Sequence, residues 1–327
     1  MYRFDGLLDE IEYSDVITIF RHVRPDCDAV GSQFGLKSWL NDNFPEKKVY
    51  ALGNEYCQQG NCWPVSDECS NEMVLASLAI VLDTANEPRI DDERYAGARR
   101  VIKIDHHPNR DPYGHRQYVF EESAAACEIL GEFFRQCNEQ YSLAVSQKTA
   151  ENLYRGLLTD TLRFCTANTR SHTLEIAGWL SQFSVRIPEL NRQLFDQSLR
   201  DFRFENFLRD TVTLINDCMA YRILNEEELR EWDYTASAAR DFVGTYKDVK
   251  EFEVFAIITE KTDSDGTKLY EASLRSKTVT INDIAEKFGG GGHKNACGVK
   301  DITALQLDNM IMELYERIPA KTPTKIA

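Results

Sequence analysis

Side chains that commonly bind metal ions follow several apolar segments of this sequence. The run Asp105-His106-His107 comes directly after the strand-like residues 101–104. Carboxylates and imidazoles without thiolates suit Mn²⁺ best, and Mg²⁺ or Fe²⁺ less well. Six such residues follow four predicted strands or helices, and together they predict a two-ion site for phosphate chemistry. They are His22, Asp26 and Asp28 after Val16–Phe20, Asp83 after Leu78–Leu82, His106 after residues 101–104, and Asp160 after residues 148–158. Asp83 could bridge the two ions, and His106 and Asp160 could complete the second ion with Asp28.

Each of these residues also has an ordinary structural interpretation. Asp28 could cap a helix that begins near Ala29, and Asp83 with Thr84 could cap a strand-to-helix turn. Asp160 could be a solvated helix end. Capping alone explains single residues better than it explains the whole set, so the joint pattern favours the metal site.

The elements that must position these residues alternate between short apolar runs and segments of helical periodicity. Strand-like segments at 16–20, 48–52, 78–82 and 100–104 indicate βαβ units and a parallel sheet covered on both faces. Open sheets of this kind bind ligands outside the carboxyl ends of their strands. We predict an α/β protein with an N-terminal parallel-sheet domain over residues 1–190, a helical linker over 191–230 and a smaller C-terminal α/β domain over 231–327.

The C-terminal part contains a candidate phosphate-binding region. Strands are predicted at 253–259 and 269–274 around a hairpin turn at 263–266, followed by a helix over 282–287 and a final helix over about 304–317. The glycine run 289–292 could be a loop that cradles an anion with its backbone N–H groups, or a helix C-cap followed by a flexible turn. The neighbouring His293 and Lys294 favour the anion cradle. Arg275 at a strand end could bind a phosphate bidentately, or be a solvated basic residue, and Arg163 is a weaker candidate of the same kind.

Composition restricts the class of substrate and the compartment. The net charge of −15 argues against a broad grip on long nucleic acid, so an anionic substrate must be held locally. No apolar run is long enough for a membrane span and the N-terminus lacks signal-peptide features, so we expect a cytoplasmic protein without a membrane partner. Most of the nine cysteines stand singly in apolar segments, as reduced thiols do. Three cluster without the paired spacing of a zinc site and receive no role: Cys57, Cys62 and Cys69.

Together these motifs resemble the DHH phosphoesterase superfamily, specifically its nanoRNase/pAp phosphatase family with a DHH-associated C-terminal domain. The resemblance covers nearly the whole chain. The segments that carry it are HVRPDCDAVGS at 22–32, DTA at 83–85, DHH at 105–107, TDT at 159–161, SLRSK at 273–277 and GGGGHKNACG at 289–298. The sequence departs from the family in Cys27, where glycine is usual, and in the cysteine-bearing loop 53–70, and both departures bear on substrate access.

The resemblance implies a role for each candidate residue. One Mn²⁺ would be held by His22, Asp26 and Asp83, and the other by Asp28, Asp83, His106 and Asp160. The resemblance makes His107 a catalytic residue beside Asp83; it would not bind metal, but would stabilise charge on the scissile phosphate or protonate the leaving oxygen. The resemblance also implies an active-site cleft between the two domains. The C-terminal domain would close over this cleft and bind the substrate with Arg275, Ser276, Gly291, Gly292 and His293.

The expected activity is therefore Mn²⁺-dependent hydrolysis of phosphoester bonds. The substrates would be very short oligoribonucleotides or linear dinucleotides such as pApA, cleaved to mononucleotides, and adenosine 3′,5′-bisphosphate could be a further one. A type II-like inorganic pyrophosphatase would share the metal half but use a different basic C-terminal motif. A non-catalytic dinucleotide-binding regulator is the third interpretation, against which the retention of all six ligands and His107 speaks. The assembly would be a monomer or a homodimer, with no long duplex nucleic acid as partner.

Overall fold

The fold is built from two compact units, Met1–Asp196 and Gln197–Ala327. A computed structural model describes residues 2–57 and 63–319. The helices of the first unit are α1 Leu7–Glu12, α2 Cys27–Asn43, α3 Asn71–Ala76, α4 Ala126–Tyr141, α5 Gln147–Asp160, α6 Ser171–Ser181 and α7 Ile187–Phe195, with short 3₁₀ turns at Glu87–Arg89 and Glu93–Gly97. Its strands are β1 Val16–Phe20, β2 Lys48–Ala51, β3 Leu78–Leu82, β4 Arg100–Asp105 and β5 Arg116–Val119.

The first unit contains a five-stranded, entirely parallel sheet in the order β2-β1-β3-β4-β5. The predicted fold class is confirmed, and the four predicted strands correspond to β1 to β4. Strand β5 was not predicted, because its sequence Arg-Gln-Tyr-Val has only two apolar residues and lies at the sheet edge. Because all strands run the same way, their carboxyl ends meet at one edge of the sheet.

Side chains of the sheet alternate between two apolar cores, as the period of a strand requires. On one face Ile17 and Ile19 of β1 pack with residues of α2, α4 and α5, including the fully buried Trp39. On the other face Phe20 and Val81 pack with Tyr95 and Tyr113, beneath the segments that contain the 3₁₀ turns. Burial on both faces explains why β3 is apolar throughout.

The second unit is also of mixed α and β structure. Its helices are α8 Leu199–Asp210, α9 Glu226–Glu231, α10 Ala236–Asp241, α11 Asn282–Lys287 and α12 Ala304–Glu316, with a 3₁₀ turn at Phe242–Tyr246. Its strands are β6 Thr213–Ile215, β7 Met219–Leu224, β8 Val254–Thr262, β9 Lys268–Ser276, β10 Gly291–His293 and β11 Ala296–Ile302. They form one sheet in the order β10-β11-β9-β8-β7-β6, in which only β7 and β8 are parallel.

Two segments of the second half differ from their sequence predictions. The glycine run was predicted as a loop, but Gly291–His293 forms strand β10 against β11. Residues 191–230, for which a helical linker was predicted, contain β6 and β7 as well as helices. Propensity misses both because pairing within the sheet stabilises these strands: β10 pairs with the following β11, β6 pairs with the following β7, and β7 also pairs with β8.

Two further observations concern membranes and cysteines. Within residues 2–57 and 63–319, no helix combines the length and apolarity that a bilayer span requires. Cys57 and Cys69 are half-buried, and Cys62 lies outside the described residues.

Candidate metal centre

The carboxyl edge of the parallel sheet places the predicted ligands next to one another. His22 follows β1, Asp83 follows β3 directly, and His106 follows the last residue of β4. Asp26 and Asp28 stand at the start of α2, and Asp160 is the last residue of α5. The order of the strands, rather than closeness along the chain, therefore assembles the cluster.

The described residues include three groups of possible metal ligands, of which the third, Asp83, His106 and His107, shares Asp83 with the first and His106 with the second. In the first group, His22, Asp26 and Asp83 each offer one ligand atom within 4.8 Å of the others. In the second, Asp28, His106 and Asp160 meet the same limit. Asp83 lies between the groups, because its Oδ2 is 3.4 Å from Nε2 of His22 and its Oδ1 is 3.3 Å from Nε2 of His106. Two neighbouring ions bridged by Asp83 would fit these positions.

Both aspartates at the start of α2 have structural contacts as well. Asp26 is the N-cap of α2, and its Oδ1 accepts hydrogen bonds from the backbone N–H groups of Asp28 and Ala29 at 3.0 and 3.1 Å. Asp28 does not cap its own helix. Its fully buried carboxylate instead accepts from the N–H groups of Ala126 and Cys127, at 2.6 and 2.9 Å, where α4 begins. The helix end thus fixes the orientation of Asp28.

Backbone carbonyl groups orient the two candidate histidine ligands. Nδ1 of His22 donates to the carbonyl oxygen of Val23 at 2.8 Å, and Nδ1 of His106 faces the carbonyl oxygen of Ser123 at 3.3 Å. A carbonyl oxygen can only accept, so each Nδ1 must carry the hydrogen. Nε2 of each ring is therefore the atom that points into the cluster, and it can bind a metal once it is deprotonated.

His107 has a different environment from His106. Its Nδ1 donates to Oδ1 of Asp105 at 2.9 Å and lies 3.5 Å from Oδ1 of Asp83. The same Asp105 oxygen accepts the backbone N–H groups of His106 and His107. Oδ2 of Asp105 faces Nζ of the fully buried Lys103 at 3.3 Å. His107 is thus held through one nitrogen, and its Nε2 remains for other contacts.

Burial and mutual repulsion dominate the electrostatics of the cluster. Burial, followed by the charge of Asp83, raises the pKa of Asp28 to about 7. Burial, followed by the charges of Asp28 and Asp83, raises the pKa of Asp160 well above its usual range. For His22 and His106, burial disfavours the charged ring, but contacts with carboxylates outweigh it and raise each pKa to about 10. Without metal, the site therefore retains protons that compensate part of its negative charge.

The residues fit divalent cations on two independent grounds. Oδ1 of Asp83 is buried and has no hydrogen-bond partner of good geometry among the described residues, although a buried carboxylate oxygen normally has one. The donor set consists of oxygens and imidazole nitrogens, which hard or borderline divalent ions prefer. Asp83 also adopts a left-handed backbone conformation, with φ of +49°, which aims its carboxylate into the cluster.

The predicted substrate-binding residues of the second unit lie on neighbouring strands. Arg275 in β9 pairs with Ala296 in β11, and Ala296 pairs with His293 in β10. Burial lowers the pKa of Arg275. The Ser276 hydroxyl donates to the carbonyl oxygen of Val279 at 2.6 Å, which commits its proton to the local turn.

The glycines of this region are required by backbone packing. A Cβ at Gly292 would lie 2.4 Å from the carbonyl oxygen of Ala296, and its φ of +142° disfavours other residues. Gly291 has open space around it. Close approach of β10 to β11 therefore explains Gly292 without a ligand, whereas Gly291 remains a candidate contact.

Two charged residues of the first unit remain, one proposed from the sequence and one that sequence reasoning missed. Arg163 lies in the exposed turn after α5, where its guanidinium covers the Phe195 ring at 4.7 Å. Lys103 was not singled out, although it is fully buried beside the cluster. Its signal in the sequence was a single charged residue inside an otherwise apolar strand, and a buried charge requires a partner.

Comparisons with protein families match both parts of the chain. The DHH family, N-terminal domain, matches residues 16–157, and the DHHA1 domain matches residues 216–319. The bifunctional oligoribonuclease and PAP phosphatase NrnA of Bacillus subtilis (strain 168) is 34% identical over 308 residues, which cover 94% of this chain and 96% of the relative. The probable bifunctional oligoribonuclease and PAP phosphatase NrnA of Streptococcus mutans is 34% identical over 315 residues, covering 96% and 98%.

A solved structure shows the same fold over almost the whole chain. The exopolyphosphatase-related protein from Bacteroides fragilis superimposes with a TM-score of 0.82 at 24% sequence identity, and 95% of each chain is covered. The order of elements in both units is thus that of a known architecture.

Proposed function

The chain belongs to the DHH family, and from that premise we propose that it hydrolyses very short oligoribonucleotides and linear dinucleotides such as pApA to mononucleotides. The observation that carries the proposal is the cluster of six histidine and carboxylate ligands in two groups that meet at Asp83. A relative named as an oligoribonuclease aligns with nearly the whole chain, which supports the substrate class.

We propose that two Mn²⁺ ions occupy the cluster, with Mg²⁺ or Fe²⁺ as the alternatives. The first would be held by His22, Asp26 and Asp83. The second would be held by Asp28, Asp83, His106 and Asp160. When bound, such ions supply positive charge for the phosphoryl oxygens and lower the pKa of an attacking water.

His107 is proposed to serve the leaving group. Its Nδ1 is held by Asp105, so Nε2 is the atom that can give a proton to the leaving oxygen or stabilise its charge. The imidazole is 31% exposed, more than the 13% of His106, as a group that must reach the substrate should be. Asp83 acts in catalysis by bridging the two ion positions.

The remaining proposed residues bind the substrate rather than react with it. Arg275 is suited to a phosphate because a guanidinium can donate two parallel hydrogen bonds. Its partners in this role are Ser276, Gly291, Gly292 and His293, with Arg163 as a weaker member. The structure gives Ser276 and Gly292 packing roles as well, so Arg275 is the member whose substitution tests binding most cleanly.

The experiment is product analysis with the purified Mn²⁺-loaded protein. The panel is pApA, RNA of two to five nucleotides, adenosine 3′,5′-bisphosphate and pyrophosphate. Protein from which a chelator has removed the metal is the control. Release of AMP from pApA and of mononucleotides from short RNA supports the proposal. Binding of pApA without any product would contradict it and favour a dinucleotide-binding regulator.

A second activity, removal of the 3′-phosphate from adenosine 3′,5′-bisphosphate, is proposed because relatives are named for it. AMP formation from this substrate in the same panel tests it. Cleavage of pyrophosphate alone would instead support the pyrophosphatase interpretation of the metal site.

We also propose a cytoplasmic location and an assembly no larger than a homodimer. Cell fractionation tests the first, and light scattering of the purified protein tests the second.

A further inference from the structure

Lys103 is a buried cation in the middle of the sheet of the first unit. It lies on β4 between Val81 of β3 and Gln117 of β5, and its side chain is completely inaccessible to solvent. Its neighbours along the strand, Ile102 and Ile104, belong to the apolar core on the opposite face. A buried lysine is strongly destabilising unless its charge is compensated, so the contacts of Lys103 must supply that compensation.

The contacts of the Lys103 ammonium group join the loops that follow β3 and β4. Nζ donates to the carbonyl oxygen of Ala85 at 2.9 Å, two residues after Asp83. It also donates to Oδ1 of Asn109 at 3.3 Å, two residues after His107. The ring of Tyr113 lies 4.6 Å from Nζ, and the Tyr113 hydroxyl donates to the carbonyl oxygen of Thr84. One side chain thus connects both segments that carry the central residues of the cluster.

The fourth contact of Lys103 is with Asp105, the residue that holds His107. Nζ is 3.3 Å from Oδ2 of Asp105, and the other oxygen of that carboxylate accepts from Nδ1 of His107 at 2.9 Å. Asp105 is itself completely buried. Lys103, Asp105 and His107 therefore form a linear series of contacts that runs from the sheet interior to a half-buried imidazole.

We propose that Lys103 is a positioning residue for His107, acting through Asp105, in the hydrolysis of phosphodiesters. The inference rests on the proposed function and deepens it, since it assigns the residue that prepares the leaving-group proton donor. Lys103 fixes the Asp105 carboxylate so that its Oδ1 holds Nδ1 of His107, and Nε2 is then directed at the substrate. Neither Lys103 nor Asp105 is a ligand in the proposed metal groups.

The step that depends on this series is proton delivery to the leaving oxygen. Water forms the new bond to phosphorus, and the bond between phosphorus and the leaving nucleoside oxygen breaks with its electron pair on that oxygen. Nε2 of His107 gives its proton to the oxygen, and the proton released by the water returns to the imidazole through solvent. A leaving group that is stable as an anion does not need this proton.

The test compares two esters in the wild-type protein and in Lys103→Met, whose unbranched side chain is one atom shorter and carries no charge. One ester is pApA, whose leaving oxygen needs a proton, and the other is the p-nitrophenyl ester of AMP, whose leaving group does not. We expect kcat for pApA to fall about 10²-fold with little change in KM, because misplacing a catalytic group costs about that much. The nitrophenyl ester should lose much less activity, and Mn²⁺ affinity should be unchanged.

Equal losses on both esters, or no loss on either, would overturn the assignment, because a purely structural role does not discriminate between leaving groups. Failure of the proposed function would appear differently, as a wild-type protein that releases AMP from neither ester, and it would overturn this inference as well. Asp105→Asn should give the same discrimination and replaces Lys103→Met if that variant does not fold. Lys48→Met, at an exposed position of β2, is the matched control and should leave both rates unchanged.

Discussion

Asp83→Asn is the change that most directly tests the two-group arrangement. Asparagine keeps the shape of the side chain and removes only its charge. It also tolerates the left-handed backbone of this position, where φ is +49°, whereas alanine would add strain of about 1–2 kcal/mol. The variant therefore isolates the electrostatic role of the carboxylate from its role in the turn after β3.

The size of the effect follows from burial and from the sharing of Asp83. The residue is 2% exposed, and imidazoles of both groups lie 3.3 and 3.4 Å from its oxygens. Removing one partner of a buried charge pair costs about 3–5 kcal/mol, which corresponds to about 10²–10⁴-fold in affinity. Because both ions would lose this ligand, we expect the affinity for each ion to fall by that factor.

The measurements are Mn²⁺ binding by isothermal titration and AMP release from pApA over a range of Mn²⁺ concentrations. At a concentration that saturates the wild-type protein, the variant should be almost inactive. Asp92→Asn is the matched control, since Asp92 is 5% exposed and pairs with Arg94 outside the cluster. An Asp83→Asn protein with wild-type metal affinity and turnover would refute the bridging role.

Three further predictions concern Arg275, the two ligand histidines and Gly156. Arg275→Ala should lower kcat/KM about 10- to 100-fold, the equivalent of one charged hydrogen bond of about 1.5–3 kcal/mol, and leave Mn²⁺ affinity unchanged; unaltered kinetics would remove Arg275 from the site. Since the two ligand histidines have pKa values raised to about 10, they are protonated at pH 7 without metal, so Mn²⁺ binding should release protons and strengthen as pH rises. Calorimetry in buffers of different ionisation enthalpy measures this, and a heat independent of the buffer would contradict it. Gly156→Ala should weaken metal binding and destabilise the fold by about 1–3 kcal/mol, because its Cβ would lie 2.7 Å from Oδ1 of Asp28 and 2.4 Å from Sγ of Cys127. Gly178→Ala, which meets nothing within 4 Å, is its control in thermal unfolding.

Much of the first unit could be predicted from sequence because its strands are short, apolar and buried on both faces. The end of each such strand can be placed within a residue or two, and parallel strands bring their ends to one edge. His22, Asp83 and His106 could therefore be grouped without coordinates. The confirmed fold class depends on the same reasoning.

The parts that escaped prediction depend on contacts that local sequence propensity does not describe. Whether Asp26 or Asp28 caps α2 is decided by the start of α4, about a hundred residues away, to which Asp28 is bonded. Strand β10 exists because β11 pairs with it, although a run of glycines has low strand propensity. The importance of Lys103 becomes visible only when Ala85, Asn109 and Asp105 are seen around one ammonium group.

Asp28 has both a structural and a proposed metal-binding role, and this affects which ligands could be lost if the enzyme became inactive during evolution. Its carboxylate holds the start of α4 as well as a position in the cluster, so replacing it would loosen a helix of the main core. Asp160 lies at the end of α5, its side chain is 23% exposed, and no hydrogen bond to its carboxylate is found in the described part of the chain. A lineage released from selection for hydrolysis could therefore lose Asp160 at little cost in folding, while Asp28 would persist as a relic of a site that no longer works.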